Sequence, residues 1–353
     1  MQRRVIVRPK PRSGLTRIEV VVLCVIAMLC GLVLAPAISA RRGPARQLQC
    51  LNNLREIGLS VLNYTSAYDG QLPPLSSSLS VVNSKDEQGN LTIGWPIALL
   101  PVLEDTPSLL NSIRQNSISV QGRARIGEGE RVYIEHFACP TDESSVRVPG
   151  GLSYVVNAGF FSRDLYNGDP QGMHVVGSLA WTGEPHDEEA VAVHAATGVF
   201  WQTNGGFQPS LDYISEGDGS ATTILVTENL QAGDWYDTDA TKIGFGFPVA
   251  NSGGKVPVGP GTTFESARKP LNAQFEGGNL TSEPQDWRIN RDLKVPSGSR
   301  PRPSSNHTGG VNVIMCDGAS RFLSENIDPH VYLKLMTSNG VKYGEGDFSQ
   351  SQY

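Results

Sequence analysis

The sequence predicts an α+β protein in which one long N-terminal helix carries a β-rich body. Three observations predict it. Residues 20–40 are almost wholly apolar and long enough to cross a membrane. Leu48, Leu51, Leu54, Ile57 or Gly58, Val61 and Tyr64 then recur at spacings of three and four, the period of an amphipathic helix. Past residue 70 the chain turns to short β-branched runs, and its 38 glycines and 23 prolines favour turns over long helices.

The helix is expected in two parts behind a basic leader. Residues 1–14 hold Arg3, Arg4, Arg8, Lys10 and Arg12 and no acid. Residues 15–42 are expected to form a transmembrane helix, since about 20 apolar residues span a ~30 Å hydrocarbon core. The leader holds the N-terminus on the cytoplasmic side, and Arg41, Arg42 and Arg46 weaken that signal without reversing it. Gly43-Pro44 is expected to interrupt or restart the helix. Residues 43–70 form the amphipathic stalk, ended by Asp69-Gly70 and Pro73-Pro74. An ordinary secretory signal is an alternative, with Ala35-Pro36-Ala37 as a cleavage-like site, but the apolar run exceeds the roughly 7–15 residues of such a signal. An uncleaved membrane anchor is another.

Residues 71–353 read as one β-rich domain without an internal repeat. The serine-rich residues 75–90 are expected to be an exposed loop, followed by a short helix or turn at Trp95. Strands are expected through Val132, Ile134 and His136, from Tyr154 to Asn157-Ala158-Gly159, through the β-branched run after Ala221, and at residues 311–316 and 320–323. Asp317-Gly318 joins the last two as a hairpin, because glycine takes positive φ without penalty. A short helix follows, with Asp328 as N-cap and Pro329 in its first turn. Residues 295–306 read as an extended surface linker and residues 183–190 as an acidic loop.

Charge is unevenly placed. The chain has 29 basic and 35 acidic residues; without the five cations of the leader, 24 basic residues face 35 acidic ones. An acidic body excludes nucleic acid as an expected partner. Of five cysteines, Cys24 and Cys30 lie in the apolar run and Cys50, Cys139 and Cys316 in the body. There is no C-x-x-C and no zinc-ligand spacing, so no metal or cofactor is expected.

Two sets of residues carry resemblances. The stretch Ser13-Gly14-Leu15-Thr16-Arg17-Ile18-Glu19 resembles the cleavage and methylation site of type IV prepilins and pseudopilins. The resemblance implies cleavage by prepilin peptidase after Gly14, methylation of the new terminus Leu15, and an assembly role for Glu19. A buried carboxylate needs a partner, and the free α-amine of a neighbouring subunit supplies one, setting register between helices. Leu15 stands where that family has phenylalanine, and Arg17 where it prefers an apolar residue. At the other end, His307, nine intervening residues and Asp317-Gly318 resemble the H-x(9)-D-G region of a bacterial family of unassigned function that carries a prepilin-type N-terminus. Cys50-Leu51-Asn52-Asn53-Leu54 and Cys139-Pro140-Thr141-Asp142 resemble its C-x-N-N-L and C-P-x-D motifs.

These resemblances imply a pilin-like fold, a long membrane and stalk helix packed on an antiparallel β-rich domain containing the 307–323 hairpin. They imply a structural pseudopilin or pilus-like subunit of the inner membrane, with its body outside the cytoplasm and prepilin peptidase and other pilin-like subunits as partners. A surface module binding a glycan through Trp181, Trp201, Trp235 and Tyr236 is the alternative. No enzyme is expected, because no G-x-S-x-G or H-E-x-x-H accompanies His307. His307 is read as bonding backbone across the hairpin, with metal binding beside Asp317 as the lesser reading. The other histidines, His136, His174, His186, His194 and His330, are read as structural. Calcium has only loose candidates in Asp218 and Glu228 or in Asp187, Glu188 and Glu189. Cys50 and Cys139 are either independent thiols or a bridge from stalk to sheet, with Cys139–Cys316 the rival pairing.

Overall fold

The computed structural model describes residues 16–82, 88–104, 106–120, 123–166, 174–179, 186–203, 207–249 and 287–343. The chain divides into two compact units, Met1–Arg46 and Gln47–Tyr353. Helix α1 runs Arg17–Ala67. It continues through Gly43-Pro44, contrary to the break expected there. A proline deletes one N–H donor and presses on the carbonyl four residues back, which kinks a helix without having to end it.

In the first unit, the apolar side chains of Ile18, Val20, Val21, Val22, Leu23, Val25, Ile26, Met28 and Leu29 are exposed. Among the described residues no helix is long and apolar enough to cross a membrane. The leader, Leu15 and the side chains of residues 31–42 lie outside the description.

In the second unit, Cys50, Leu54, Ile57 and Val61 are fully buried, with Asn53, Ser60 and Thr65 nearly so. This is the expected three-and-four spacing, but the face begins at Cys50, and Leu48 is exposed. Gly58 lets the helix approach the sheet, because a Cβ there would lie 2.9 Å from Ile314 Cγ2. The helix stops where Asp69 and Gly70 take positive φ and the Gly70 N–H returns to Thr65 O at 2.8 Å.

Two sheets form among the described residues. Strands β1 (Ser76–Val82), β2 (Gln88–Gly94), β3 (Ile118–Val120) and β4 (Arg123–Arg125) make the smaller, in the order β1-β2-β4-β3. Strands β5 (Tyr154–Ser162), β6 (Ile224–Glu228), β7 (Gly244–Val249), β8 (Gly310–Met315) and β9 (Ser320–Ser324) make the larger, in the order β7-β5-β6-β8-β9. The sheets are mixed rather than antiparallel, since β2 pairs parallel with β4 and β5 with β7. Between β6 and β7 the chain passes through a short helix, Ala240–Ile243, and β7 then lies on the far side of β5, parallel to it. The β5–β7 register shifts between Asn157 and Phe160, where Gly159 takes φ +72.

Three local expectations are corrected. The serine-rich stretch is not a loop: β1 pairs with β2 from Ser76↔Gly94 to Val82↔Gln88, and Val81, Leu91 and Ile93 are buried. Serine tolerates a strand, and the alternating apolar residues supply a face to bury. Val132, Ile134 and His136 form no strand; Glu135–Phe137 is a 3-10 turn. Asn53 Nδ2 of α1 donates to Glu135 O (3.0 Å) and to Ala138 O just past the turn (2.9 Å), and the Ser153 N–H donates to Phe137 O (2.8 Å). Finally, the 295–306 linker is buried over its second half. Arg302 and Ser304 are wholly covered, and the Ser304 N–H donates to Glu228 O at 2.9 Å. Prolines there reduce the number of donors that burial must satisfy.

The remaining helices are short. Trp95–Leu99 is buried, with Trp95 Nε1 donating to Ile243 O at 2.8 Å. Pro329–Met336 is capped as expected, the Val331 N–H donating to Asp328 Oδ1 at 3.3 Å. Arg55 of α1 donates to Ser320 Oγ of β9 (2.7 Å), tying the helix to the edge hairpin.

Candidate functional site

Five separate segments converge on one buried cluster. Helix α1 brings Cys50 and Asn53. The turn after the 3-10 segment brings Cys139 and, three residues on, Asp142. The last residue of β6 is Glu228, the loop before β8 supplies His307, and β8 supplies Asn312. Cys50 and Cys139 are joined by a disulfide, with Cα atoms 4.7 Å apart across 89 residues of sequence. Cys316, the rival partner, is a free buried thiol whose pKa burial pushes up.

Around the bridge several polar groups have defined partners. Tyr154 Oη donates to Cys50 O at 3.0 Å, and burial drives its own pKa far above the ordinary phenol range. Thr141 Oγ1 lies 3.0 Å from Cys139 Sγ and 3.7 Å from Cys50 Sγ. Asp142 accepts from the Ser144 N–H (3.1 Å) and from Ser153 Oγ (2.7 Å), and Ser153 Oγ accepts the Cys139 N–H (3.0 Å). The C-P-T-D loop is thereby fixed against β5.

His307 does not bond backbone across the hairpin through its ring, as the sequence led one to expect. Its Nε2 lies 2.9 Å from Glu228 Oε1 and 3.9 Å from Cys139 Sγ. Glu228 also accepts from Asn312 N–H (2.8 Å) and Asn312 Nδ2 (3.0 Å), so one buried carboxylate ties β6, β8 and the 307 loop together. Asp317 is elsewhere: it is exposed and accepts the Ala319 N–H at 2.8 Å inside the hairpin turn. The proposed His307–Asp317 pair is therefore not formed.

Other candidates sort plainly. Gly14 and Leu15 lie outside the described residues. Glu19 closes a capping box, its Oε2 accepting from the Thr16 N–H (2.7 Å) and Thr16 Oγ1 (2.9 Å). Asp218 caps the Gly340 and Val341 N–H groups at 2.7 and 2.9 Å, apart from Glu228, so those two do not share a calcium site. Asp187, Glu188 and Glu189 open the helix Glu188–Ala195, an N-terminus that favours acids without any cation. Trp201 and Trp235 are buried and cannot stack on an external glycan; Trp181 lies outside the described residues.

His174 and His194 pack with Trp201 in a buried aromatic group, ring centroids 4.7–5.6 Å apart. Burial lowers the pKa of both, that of His174 to about 4. The Gly177 N–H donates to His194 Nδ1 at 2.9 Å.

Sequence reasoning missed Glu228, Asn312 and Asn53 as parts of this cluster. The available signal was a Thr-Glu-Asn closing an Ile-Leu-Val run, where an unpaired carboxylate would be costly.

The model of a family described as a protein of unknown function (DUF1559) matches residues 39–330. The chain belongs to this family. The DUF1559 match covers every residue of the buried cluster, and leaves the 1–14 leader and Glu19 before its first matched position. No curated protein and no solved structure matches the chain.

Proposed function

We propose that this DUF1559 chain is a structural, pilin-like subunit or minor component of a pseudopilus or type IV pilus-like assembly. It is held in the inner membrane by residues 15–42, with residues 71–353 outside the cytoplasm and residues 43–70 as the stalk. Prepilin peptidase cuts after Gly14, Leu15 is methylated, and the mature helix packs against other pilin-like subunits.

The observation that carries this reading is the start of α1. Between Thr16 and Cys30, Arg17 and Glu19 are the only charged side chains on an otherwise apolar, exposed helix. Glu19 is satisfied there only locally, by the cap on Thr16. An α-amine at Leu15 would lie one turn from Glu19 in its own chain and offer a stronger, charge-assisted donor to the Glu19 of a neighbour. The disulfide supports the same role, because it fixes the second half of α1 to the domain and so transmits helix register to the body.

The test is pairwise cross-linking in native membranes. A reporter cysteine on the exposed face of α1 should give a ladder of cross-linked copies or partners in the otherwise wild-type chain. Glu19→Gln should reduce that ladder at least severalfold while leaving total membrane-bound chain unchanged. An unchanged ladder overturns the assembly role and leaves a tethered ectodomain.

A further inference from the structure

We propose that Cys50, Cys139, Glu228 and His307 form a binding site for a thiophilic divalent cation, zinc(II) by donor class, when the Cys50–Cys139 bridge is reduced. The four side chains offer two sulfurs, an imidazole nitrogen and a carboxylate oxygen, all within 4.8 Å of one another and all buried. Zinc takes four such ligands tetrahedrally, at about 2.3 Å to sulfur and 2.0–2.2 Å to nitrogen and oxygen, which places ligand atoms roughly 3.3–3.8 Å apart. The His307–Cys139 separation of 3.9 Å and the His307–Glu228 separation of 2.9 Å bracket that spacing. Only the two sulfurs are too close, because they are bonded to each other.

A bridge that merely pinned the helix would need neither an imidazole nor a carboxylate beside it. Burying that pair is costly unless the pair is fully bonded. Here it is held in place from outside: Asn312 fixes both carboxylate oxygens of Glu228, and the Thr141 hydroxyl lies against both sulfurs. Outer contacts of this kind orient ligands in metal centres.

The chemistry balances with a dithiol as reductant. It delivers two electrons and two protons, the S–S bond breaks, two thiols form, and the reductant becomes its own disulfide. Zinc(II) then displaces both thiol protons to solvent. Binding shifts the His307 proton from Nε2, where Glu228 accepts it, to Nδ1, so the Nε2 lone pair faces the metal and the Nε2–H···Glu228 bond is exchanged for two bonds to the cation. In either state α1 stays fastened to the domain, by a covalent bridge or by a metal one.

The full chain in detergent, reduced with a phosphine and freed of it without oxygen, is titrated with cobalt(II) alone. The expected result is one cobalt per chain with a near-ultraviolet thiolate-to-metal band in the reduced chain, and no such band in the oxidised chain. Glu228→Gln and His307→Gln, prepared with the bridge intact, should bind at least about tenfold more weakly after reduction. In the wild type, zinc should slow alkylation of Cys50 and Cys139 at least tenfold and leave Cys24 and Cys30 unchanged, a readout that needs no variant. A reduced chain that takes up no cobalt, folded or not, overturns the proposal, as does a band that survives Cys50→Ser.

Discussion

Replacing Glu228 by alanine removes one side chain and strands three donors. The carboxylate accepts His307 Nε2 at 2.9 Å, Asn312 Nδ2 at 3.0 Å and the Asn312 N–H at 2.8 Å, in a site 2% exposed. Net hydrogen bonds to a charged group contribute about 1.5–3 kcal/mol each, which sets a ceiling of roughly 5–9 kcal/mol. Part of that returns as the neighbouring side chains relax, and breaking one member of a buried pair typically costs about 3–5 kcal/mol. Glu228→Ala should therefore destabilise by about 4 kcal/mol. Glu228→Gln keeps the shape and one acceptor but turns an NH2 toward a donor, so it should cost roughly 1–3 kcal/mol. Urea unfolding of the full chain with the bridge intact measures both, as a lower midpoint at unchanged slope. An alanine variant within about 1 kcal/mol of wild type would refute the claim that this carboxylate ties the cluster.

Reduction of the bridge opens a loop of 89 residues and should cost about 4–5 kcal/mol in the chain-entropy account, read from urea midpoints with and without a phosphine. Gly58→Leu should destabilise by at least about 1–3 kcal/mol, because even a Cβ there meets Ile314 at 2.9 Å; a neutral result would mean that α1 does not press on β8. Stability should also fall in mild acid. His174 has a folded pKa of about 4 and that of His194 is lowered too, both by burial, so the unfolded chain binds more protons below the unfolded value of about 6.5, for His174 down to about 4. Their contribution is complete above pH ~6.5 and is lost as pH falls toward 4, roughly 3 kcal/mol for His174. His194→Gln should flatten that window, and an unchanged profile would show that the two rings do not titrate on unfolding.

The strands most legible in the sequence were those that carry their own punctuation. Strands β8 and β9 pair from Gly310↔Ser324 to Ile314↔Ser320 about the Asp317-Gly318 turn, and β6 is a β-branched run buried throughout. The Asp328 cap was readable for the same reason, since cap and capped N–H are three residues apart. What escaped local reading depends on distant partners. The 295–306 segment is polar and proline-rich, yet Ser304 finds Gln231 Oε1 at 3.0 Å and Glu228 O at 2.9 Å, more than seventy residues away. The 132–136 stretch alternates like a strand, but it runs into a turn whose Glu135 and Ala138 carbonyls accept from Asn53 of α1.

The cluster itself was half visible. Cys50, Cys139 and His307 stood out as motif residues, while Glu228 read as a loose acid. Its role follows only from β6 lying beside β8, which brings Glu228 against Asn312. No window of sequence contains that adjacency.

Processing at Gly14-Leu15 decides whether this chain is a pilin-like subunit, and mass spectrometry of the N-terminal peptide from native membranes tests it most directly. A peptide beginning at methylated Leu15 is the predicted result. One beginning at Met1 or Gln2 would contradict processing and leave a plain anchor, and one beginning near Ile38 or Arg41 would mean ordinary secretion.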